Sequence, residues 1–172
     1  MIRQSMVALA TTLSLLVSTV WAQSVSAPKL PATAVQSLDD NPVMLPRDLP
    51  SDRTLVLVAF EREQKAILDT WIKGLNLVDG KTPWMELVVV GPQNAFVHAM
   101  IMRGMRRESD DTALRNHLLP VFSDQDAFAA AMGVSVKSAY AVMLDRAGHV
   151  LAISQGEYSQ PKALALVPVS RP

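Results

Sequence analysis

The segment VHAMIMRGM contains one imidazole and three thioethers, from His98, Met100, Met102 and Met105. Soft ligands of this kind suit Cu(I), so a metal-binding module is one interpretation of the segment. On a helix, however, Met100 lies about 160° from Met102, so the four side chains cannot converge on one ion. His98, Met102 and Met105 share one face, and this pattern favours a methionine-rich stripe that packs on a sheet.

Two further histidines, His117 and His149, are candidate general bases. Neither has a serine, aspartate or second histidine beside it, so both are interpreted as surface or strand-end side chains. The sequence contains no G-x-S-x-G, G-x-G-x-x-G or G-x-x-x-x-G-K-[ST] motif, so a serine nucleophile and a nucleotide site have no support. The pairs Asp39-Asp40 and Asp110-Asp111 lack the alternating ligands of a calcium loop and are interpreted as turn and helix-cap acids.

Arg103, Arg106, Arg107 and Arg115 form the densest positive patch in the chain. The patch could contact an acidic partner or lipid headgroups. It is also typical of a solvated helix face, because Glu108, Asp110 and Asp111 follow it directly. We favour the solvated face and keep the binding patch as the alternative.

The composition excludes several classes of function. The 172 residues contain 16 Lys and Arg, 16 Asp and Glu, and no cysteine, and the computed isoelectric point is near 6.8. A neutral chain lacks the electrostatic signature of nucleic-acid binding. Without cysteine, the protein has no disulfides, thiol nucleophiles, Cys-ligated zinc or iron–sulfur clusters. No motif in the sequence predicts a bound cofactor or metal.

The first residues have the layout of a secretory signal peptide. Arg3 is the only charge before Lys29, and an apolar run over 6–17 follows it. This run is too short to span roughly 30 Å of hydrocarbon, so cleavage is favoured over a membrane anchor. We expect cleavage after Ala22, with Ala27 as the second candidate, and a periplasmic or secreted product without a transmembrane segment.

Composition divides the chain into a signal peptide over 1–22, a flexible leader over 23–36 and one domain over 37–172. The leader is rich in Ser, Ala and Pro and need not fold. The apolar runs over 54–60, 85–90 and 118–122 are typical of strands buried on both faces of a parallel sheet. Pro120 places the last of them at an edge or a strand end.

The remaining elements follow from turns and periodicity. Turn residues over 37–49 predict a small N-terminal β-hairpin, and Asp145 to Gly148 predict the turn of a terminal hairpin over 139–154. Helical periodicity predicts helices over 63–77, 94–108, 124–132 and, after Pro161, to about Leu166. The predicted fold class is an α/β sandwich with a mixed central sheet, flanking helices and an N-terminal β-hairpin.

Three strings in this order resemble the thioredoxin-like superfamily in its peroxiredoxin and TlpA-like branch. They are DNPVMLPRDLPSDRTLVLVAF, LPVFSDQDAFAAAMGV and YAVMLDRAGHVLAISQGEYS. The resemblance covers roughly 37–166 and implies a thioredoxin-like sandwich. A second resemblance, carried by TLVLVAFEREQKAILDTW and MRGMRRE, is to Atp10-like members, which lack the redox pair and whose best-known relative assists assembly of a membrane complex.

The departures from the family pattern concern its redox site. The resemblance places the active-site cysteines near Lys65 and Leu68, within one or two residues, and the family's cis-proline near Ala139. None of these positions keeps the family residue. Thiol–disulfide exchange and cysteine-dependent peroxide reduction are therefore excluded on chemical grounds. We expect a trans peptide bond at Ala139, because a cis bond without proline costs about 2.5–4 kcal/mol.

The family uses the edge beside its redox site to hold an extended peptide. In this sequence that vestigial edge comprises Phe60, Glu61, Arg62, Gln64, Ser138, Ala139 and Tyr140. We expect an exposed surface near Phe60, Glu61, Arg62 and Tyr140. We also expect the edge to bind a protein partner of the cell envelope, in an assembly or chaperone-like role, with the domain as a monomer or weak dimer. The alternatives are a cysteine-independent enzyme, with one histidine and a carboxylate in a pocket, and a periplasmic metal-binding module.

Overall fold

The computed structural model describes residues 27–109 and 111–166. The predicted signal peptide over 1–22, the start of the leader and Asp110 lie outside these residues. Among the described helices, none is long and apolar enough to cross a lipid bilayer.

A five-stranded mixed sheet forms the centre of the fold, in the order β5-β4-β3-β6-β7. Strands β3, β4 and β5 are parallel, whereas β6 and β7 are antiparallel to their neighbours, as predicted. Pro120 lies in edge strand β5, which also confirms the prediction. The strands are β3 (Arg53–Ala59), β4 (Trp84–Val90), β5 (Leu118–Phe122), β6 (Tyr140–Asp145) and β7 (Val150–Gln155).

Four helices match the predicted ones to within a few residues, and two of them begin with a side-chain N-cap. The Asn94 side chain accepts a hydrogen bond from Val97 N at 3.0 Å, and the Asp124 side chain accepts one from Ala127 N at 2.8 Å. These helices are α1 (Lys65–Gly74), α2 (Ala95–Glu108), α4 (Gln125–Met132) and α5 (Gln160–Leu166). A short helix α3 (Thr112–His117) was not predicted from the sequence.

A separate hairpin of β1 (Thr33–Gln36) and β2 (Pro42–Leu45) precedes the sheet. The N-terminal hairpin was predicted, but its first strand lies within residues assigned to the flexible leader. Leu30 is also buried, and its N–H donates to Gly148 O at 2.8 Å. The structure therefore differs from the predicted leader over 28–36, because local composition does not reveal pairing with a distant turn.

Alternation along the strands divides the core between the two faces of the sheet. Met85, Leu87 and Val89 of β4 pack with α4 and the hairpin. Trp84 packs on the other face with α1 and α5. Because successive side chains alternate, Glu86, Val88 and Val90 also point to the α1 face. Helix α2 lies on this second face, where Met102 contacts Leu118.

Candidate functional site

Lys65, the first residue of α1, stands where the family resemblance places the first cysteine. Its Nζ lies 3.1 Å from Oδ1 of Asp69 and 3.8 Å from Oε1 of Glu86. Burial lowers the pKa of the Lys65 ammonium, but the charges of Glu86 and Asp69 outweigh this effect and the pKa is raised overall. Lys65 is therefore a charged side chain at neutral pH and not a free amine nucleophile.

Glu86 is a buried acid in the middle of strand β4, with 3% of its surface exposed. Its Oε1 has no hydrogen-bond partner among the described residues, since the Lys65 ammonium is too far away for a good bond. Burial raises the pKa of Glu86 because a charged carboxylate loses its hydration, and Lys65 offsets this only in part. Sequence reasoning missed Glu86, although one acid within the apolar run MELVVV signals an unusual position.

Leu68, near the second expected cysteine position, is fully buried and packs with Trp71 in the core under α1. A side chain at this position has no access to a substrate. Leu68 therefore packs in the core on one side of α1, and Lys65 forms an ion pair on the other. Because Leu68 is buried, the two positions do not form an exposed pair.

An apolar groove opens beside Lys65, between α1 and α2. Its volume is about 380 Å³. The sheet supplies the floor through Ala59, Val88, Val90 and Leu118, and α2 supplies a wall through Ile101, Gly104 and Met105. A groove of this size with apolar lining matches the usual properties of ligand and side-chain binding sites.

Polar groups surround the mouth of this groove. Arg62 Nη2 forms an ion pair with Oε1 of Glu108, which joins the turn after β3 to the end of α2. Glu61 is exposed beside it. The Gln125 amide donates to Phe60 O at 2.6 Å and to Val89 O at 2.7 Å, which fixes the ends of β3 and β4 relative to α4. The groove therefore has an apolar interior and a charged rim.

The predicted exposure near Phe60, Glu61, Arg62 and Tyr140 is wrong for Phe60 and Tyr140. Phe60, Gln64, Ala139 and Tyr140 are buried, whereas Glu61 and Arg62 are exposed and Ser138 is half-buried. The reason is a buried link across the edge: Gln64 accepts a hydrogen bond from Phe60 N and donates one to Val136 O, both at 2.9 Å. Tyr140 is held in the same way, since its hydroxyl accepts from Ser135 N at 3.2 Å.

The peptide bond at Ala139 is trans, as expected. Within residues 27–109 and 111–166, the cis bond is at Leu45–Pro46.

The predicted basic patch divides into two parts. Arg106 donates to Leu38 O and forms an ion pair with Asp40, and Arg115 donates to Ser109 O at 2.6 Å. Both guanidiniums thus hold α2 and its following loop in place. Arg103 and Arg107 are exposed on α2.

The other candidate residues do not converge. The structure places them apart: His98 packs on Phe122, His117 stacks on Trp84 with Nδ1 2.9 Å from Trp84 O, and Nδ1 of His149 lies 2.9 Å from Oδ2 of Asp145. The His149 pair is in an exposed turn and not in a pocket. Among the described residues, no three His, Asp or Glu side chains are placed to hold one metal ion.

The predicted methionine stripe is correct in part. Met102 is buried, Met105 and His98 are half-buried against the domain, and Met100 is exposed on another face, as the helical spacing predicted.

The described acids of the two Asp pairs are cap and turn residues. The Asp111 side chain accepts a hydrogen bond from Ala113 N at 2.8 Å at the start of α3, and Asp40 forms an ion pair with Arg106.

Comparisons with known proteins place the fold but not the function. A scan against protein-family models found no match, and no curated protein matches the sequence. Several solved structures are similar. The pneumococcal exposed lipoprotein thioredoxin from Streptococcus pneumoniae strain TIGR4 has a TM-score of 0.52 and 13% identity, over 78% of this chain and 96% of that one.

Two further structures are similar to a comparable degree. BsSco, a member of the Sco family of cytochrome c oxidase assembly proteins, has a TM-score of 0.54 and 12% identity, over 82% of this chain and 91% of that one. A thiol-disulfide oxidoreductase from Bacteroides fragilis NCTC 9343 has a TM-score of 0.50 and 8% identity, over 79% and 94% of the two chains. At these identities the similarity establishes the fold alone. The chain therefore has the thioredoxin-like fold, and it has that fold without a cysteine.

Proposed function

We propose that this protein is an exported, redox-inactive thioredoxin-like domain that binds a protein partner of the cell envelope, in an assembly or chaperone-like role. The observation that carries the proposal is the apolar groove beside Lys65, the residue near which the family resemblance places the redox site. BsSco, a member of a family of cytochrome c oxidase assembly proteins, is an example of this fold in an assembly role.

The chemistry of the site favours binding over catalysis. Disulfide exchange requires a thiolate, and the chain has no cysteine. The Lys65 ammonium is held by Asp69 and Glu86, so it balances charge at the base of α1. A groove that no longer reacts with its occupant can still hold it.

The form of the groove suits an apolar side chain from a partner. Energetically important contacts in interfaces are apolar anchors that fill pockets from which water is excluded, surrounded by a polar rim. Here Ile101, Met105 and Val88 provide the apolar wall and floor. Glu61, Arg62 and Glu108 provide the charged rim. The partner surface is thus the rim and groove, and the buried Phe60 contributes to the groove lining.

Site-specific photocrosslinking in the native host tests this proposal. A photoreactive amino acid at Glu61, on the rim, is compared with the same residue at Lys81, an exposed position outside the groove. We expect a discrete crosslinked protein from position 61 that is absent at position 81. The metal content of the same purified sample is measured, because stoichiometric metal without a crosslinked protein would favour the metal-binding module. Equal crosslinking at both positions would contradict the proposed surface.

A further inference from the structure

The outward face of α2 carries two apolar and two cationic side chains in a row. Phe96 and Met100 are 78% and 57% exposed, and Arg103 and Arg107 are exposed beyond them. Because helix residues are about 100° apart, positions 96, 100, 103 and 107 lie within roughly 60° of one another. These four residues, the α2 stripe, are on the side of the helix opposite Met105, which packs against the domain.

Within residues 27–109 and 111–166, no core cluster includes the α2 stripe. A single exposed apolar side chain is ordinary, but two on adjacent turns beside charged residues mark an interaction surface. Neither Arg103 nor Arg107 forms an ion pair with another residue of the described ranges, whereas Arg106 is turned towards Leu38 and Asp40. Arg103 and Arg107 therefore share one face of α2 with the exposed Phe96 and Met100.

We propose that the α2 stripe docks this protein on a lipid surface with anionic headgroups. Phenylalanine and methionine can enter the boundary between headgroups and acyl chains, while long arginine stems let the guanidiniums reach lipid phosphates. The charge of the stripe is complementary to such a surface. The stripe is about 17 Å long, because positions 96 and 107 are separated by eleven helical residues of about 1.5 Å each.

The composition of the chain limits the expected affinity for an anionic lipid surface. Since 16 basic and 16 acidic residues balance, attraction must come from the stripe and not from the whole molecule. Two arginines near an anionic surface at about 1 kcal/mol each correspond to a roughly 30-fold change in affinity. We therefore expect reversible binding that weakens as salt is added.

Vesicle co-sedimentation tests the inference without knowledge of any protein partner. The tagged protein is isolated from its host in the form that the cell retains, and all variants are prepared in the same way. Binding is measured to vesicles of phosphatidylglycerol and phosphatidylcholine and to vesicles of phosphatidylcholine alone. We expect binding only to the first kind.

Matched variants assign this binding to the stripe. Arg103→Gln/Arg107→Gln should weaken it roughly 30-fold, whereas Lys81→Gln/Lys137→Gln, with the same loss of charge at exposed positions elsewhere, should not. Phe96→Ser/Met100→Ser should also abolish sedimentation, in contrast to Val78→Ser/Leu164→Ser at other exposed apolar positions. Because all these sites are exposed, far-UV circular dichroism and Tm should remain those of the parent protein.

Three results would overturn the inference. The first is equal binding to the two kinds of vesicle, and the second is unchanged binding in both stripe variants. A third outcome, no vesicle binding but loss of a crosslinked protein in the Phe96→Ser/Met100→Ser variant, would assign the stripe to a protein and also overturn it. The groove is untouched by these substitutions, so the proposed partner site can fail or succeed independently.

Discussion

Glu86 gives the fold its clearest expected dependence on pH. Its pKa is raised above the ordinary 4.5 by burial, so between 4.5 and the raised value the folded protein holds a proton that the unfolded chain has released. Stability therefore falls as pH rises through this window. We expect the free energy of unfolding of Glu86→Gln to fall less than that of the parent protein over the same window. Urea denaturation from about pH 4 to about pH 8 measures both.

The exposed Glu157→Gln is the matched control for this prediction, since it removes one carboxylate without burial. Its pH dependence should follow the parent protein. If Glu86→Gln and the parent protein lose the same free energy between these pH values, the carboxylate is not the buried proton-binding group that the structure indicates.

Gln64 is the residue that closes the vestigial edge. Its amide satisfies Phe60 N and Val136 O, and both backbone groups would lose these partners in Gln64→Leu. At about 1–3 kcal/mol for each unsatisfied buried group, we expect a loss of about 2–6 kcal/mol in the free energy of unfolding. Chemical denaturation measures it, with Gln93→Leu at an exposed position as the control. A loss under about 0.5 kcal/mol would mean that water replaces the amide.

At the scale of elements, α2 differs from the other long helices in how little of it is buried. Met102 is its one fully buried residue, and its position depends on polar links from Arg62 and Arg106. The groove exists because α2 leaves space above β4 at Gly104, where an added Cβ would have no atom within 4 Å. This glycine was not a candidate from the sequence, since a helical glycine without contacts has no local signature.

Gly104 in α2 and Gly133 at the end of α4 have opposite surroundings, and alanine at each position tests how that position is packed. We expect Gly104→Ala to stabilise the protein by about 0.5–1 kcal/mol, because alanine restricts the unfolded chain and fits the helix. Gly133→Ala should destabilise it by about 1–2 kcal/mol, because Gly133 has φ +70° and its Cβ would lie 3.1 Å from Pro28. Thermal and urea unfolding measure both changes. A destabilising Gly104→Ala would contradict the placement of α2, and a stabilising Gly133→Ala would contradict the left-handed turn that ends α4.

The elements that the sequence predicted are those with strong local signals. Apolar runs such as 54–60 and helical periodicity over 94–108 and 124–132 placed the strands and helices nearly as the structure has them. Helix α3 lacked an apolar face of useful length, and β1 lacked any signal beyond a Pro- and Ala-rich context, because its stability comes from pairing with β2. The burial of Phe60 could not be predicted, since the Gln64 amide that bonds its backbone N–H also reaches the distant Val136 O.

At the scale of the whole molecule, the thioredoxin-like fold persists here without the chemistry that usually accompanies it. The order of three weak local strings was sufficient to predict the fold, because topology restricts which elements can be neighbours. The same strings could not locate the groove, which depends on how α2 sits over β4 and β5. The fold could therefore be predicted from the periodicity of the sequence. The groove could not, because it depends on the packing of α2.

The central claim is that the groove holds part of a protein partner, and its occupancy can be blocked at Gly104. Once a crosslinked partner is identified, its affinity is measured by calorimetry for the parent protein, Gly104→Ala and Gly104→Trp. Since Gly104 lines the groove, tryptophan fills it while alanine leaves it open. We expect Gly104→Ala to bind as the parent protein does and Gly104→Trp to bind at least about 10-fold more weakly, with loss of one apolar anchor. Unchanged affinity in a folded Gly104→Trp would contradict the claim.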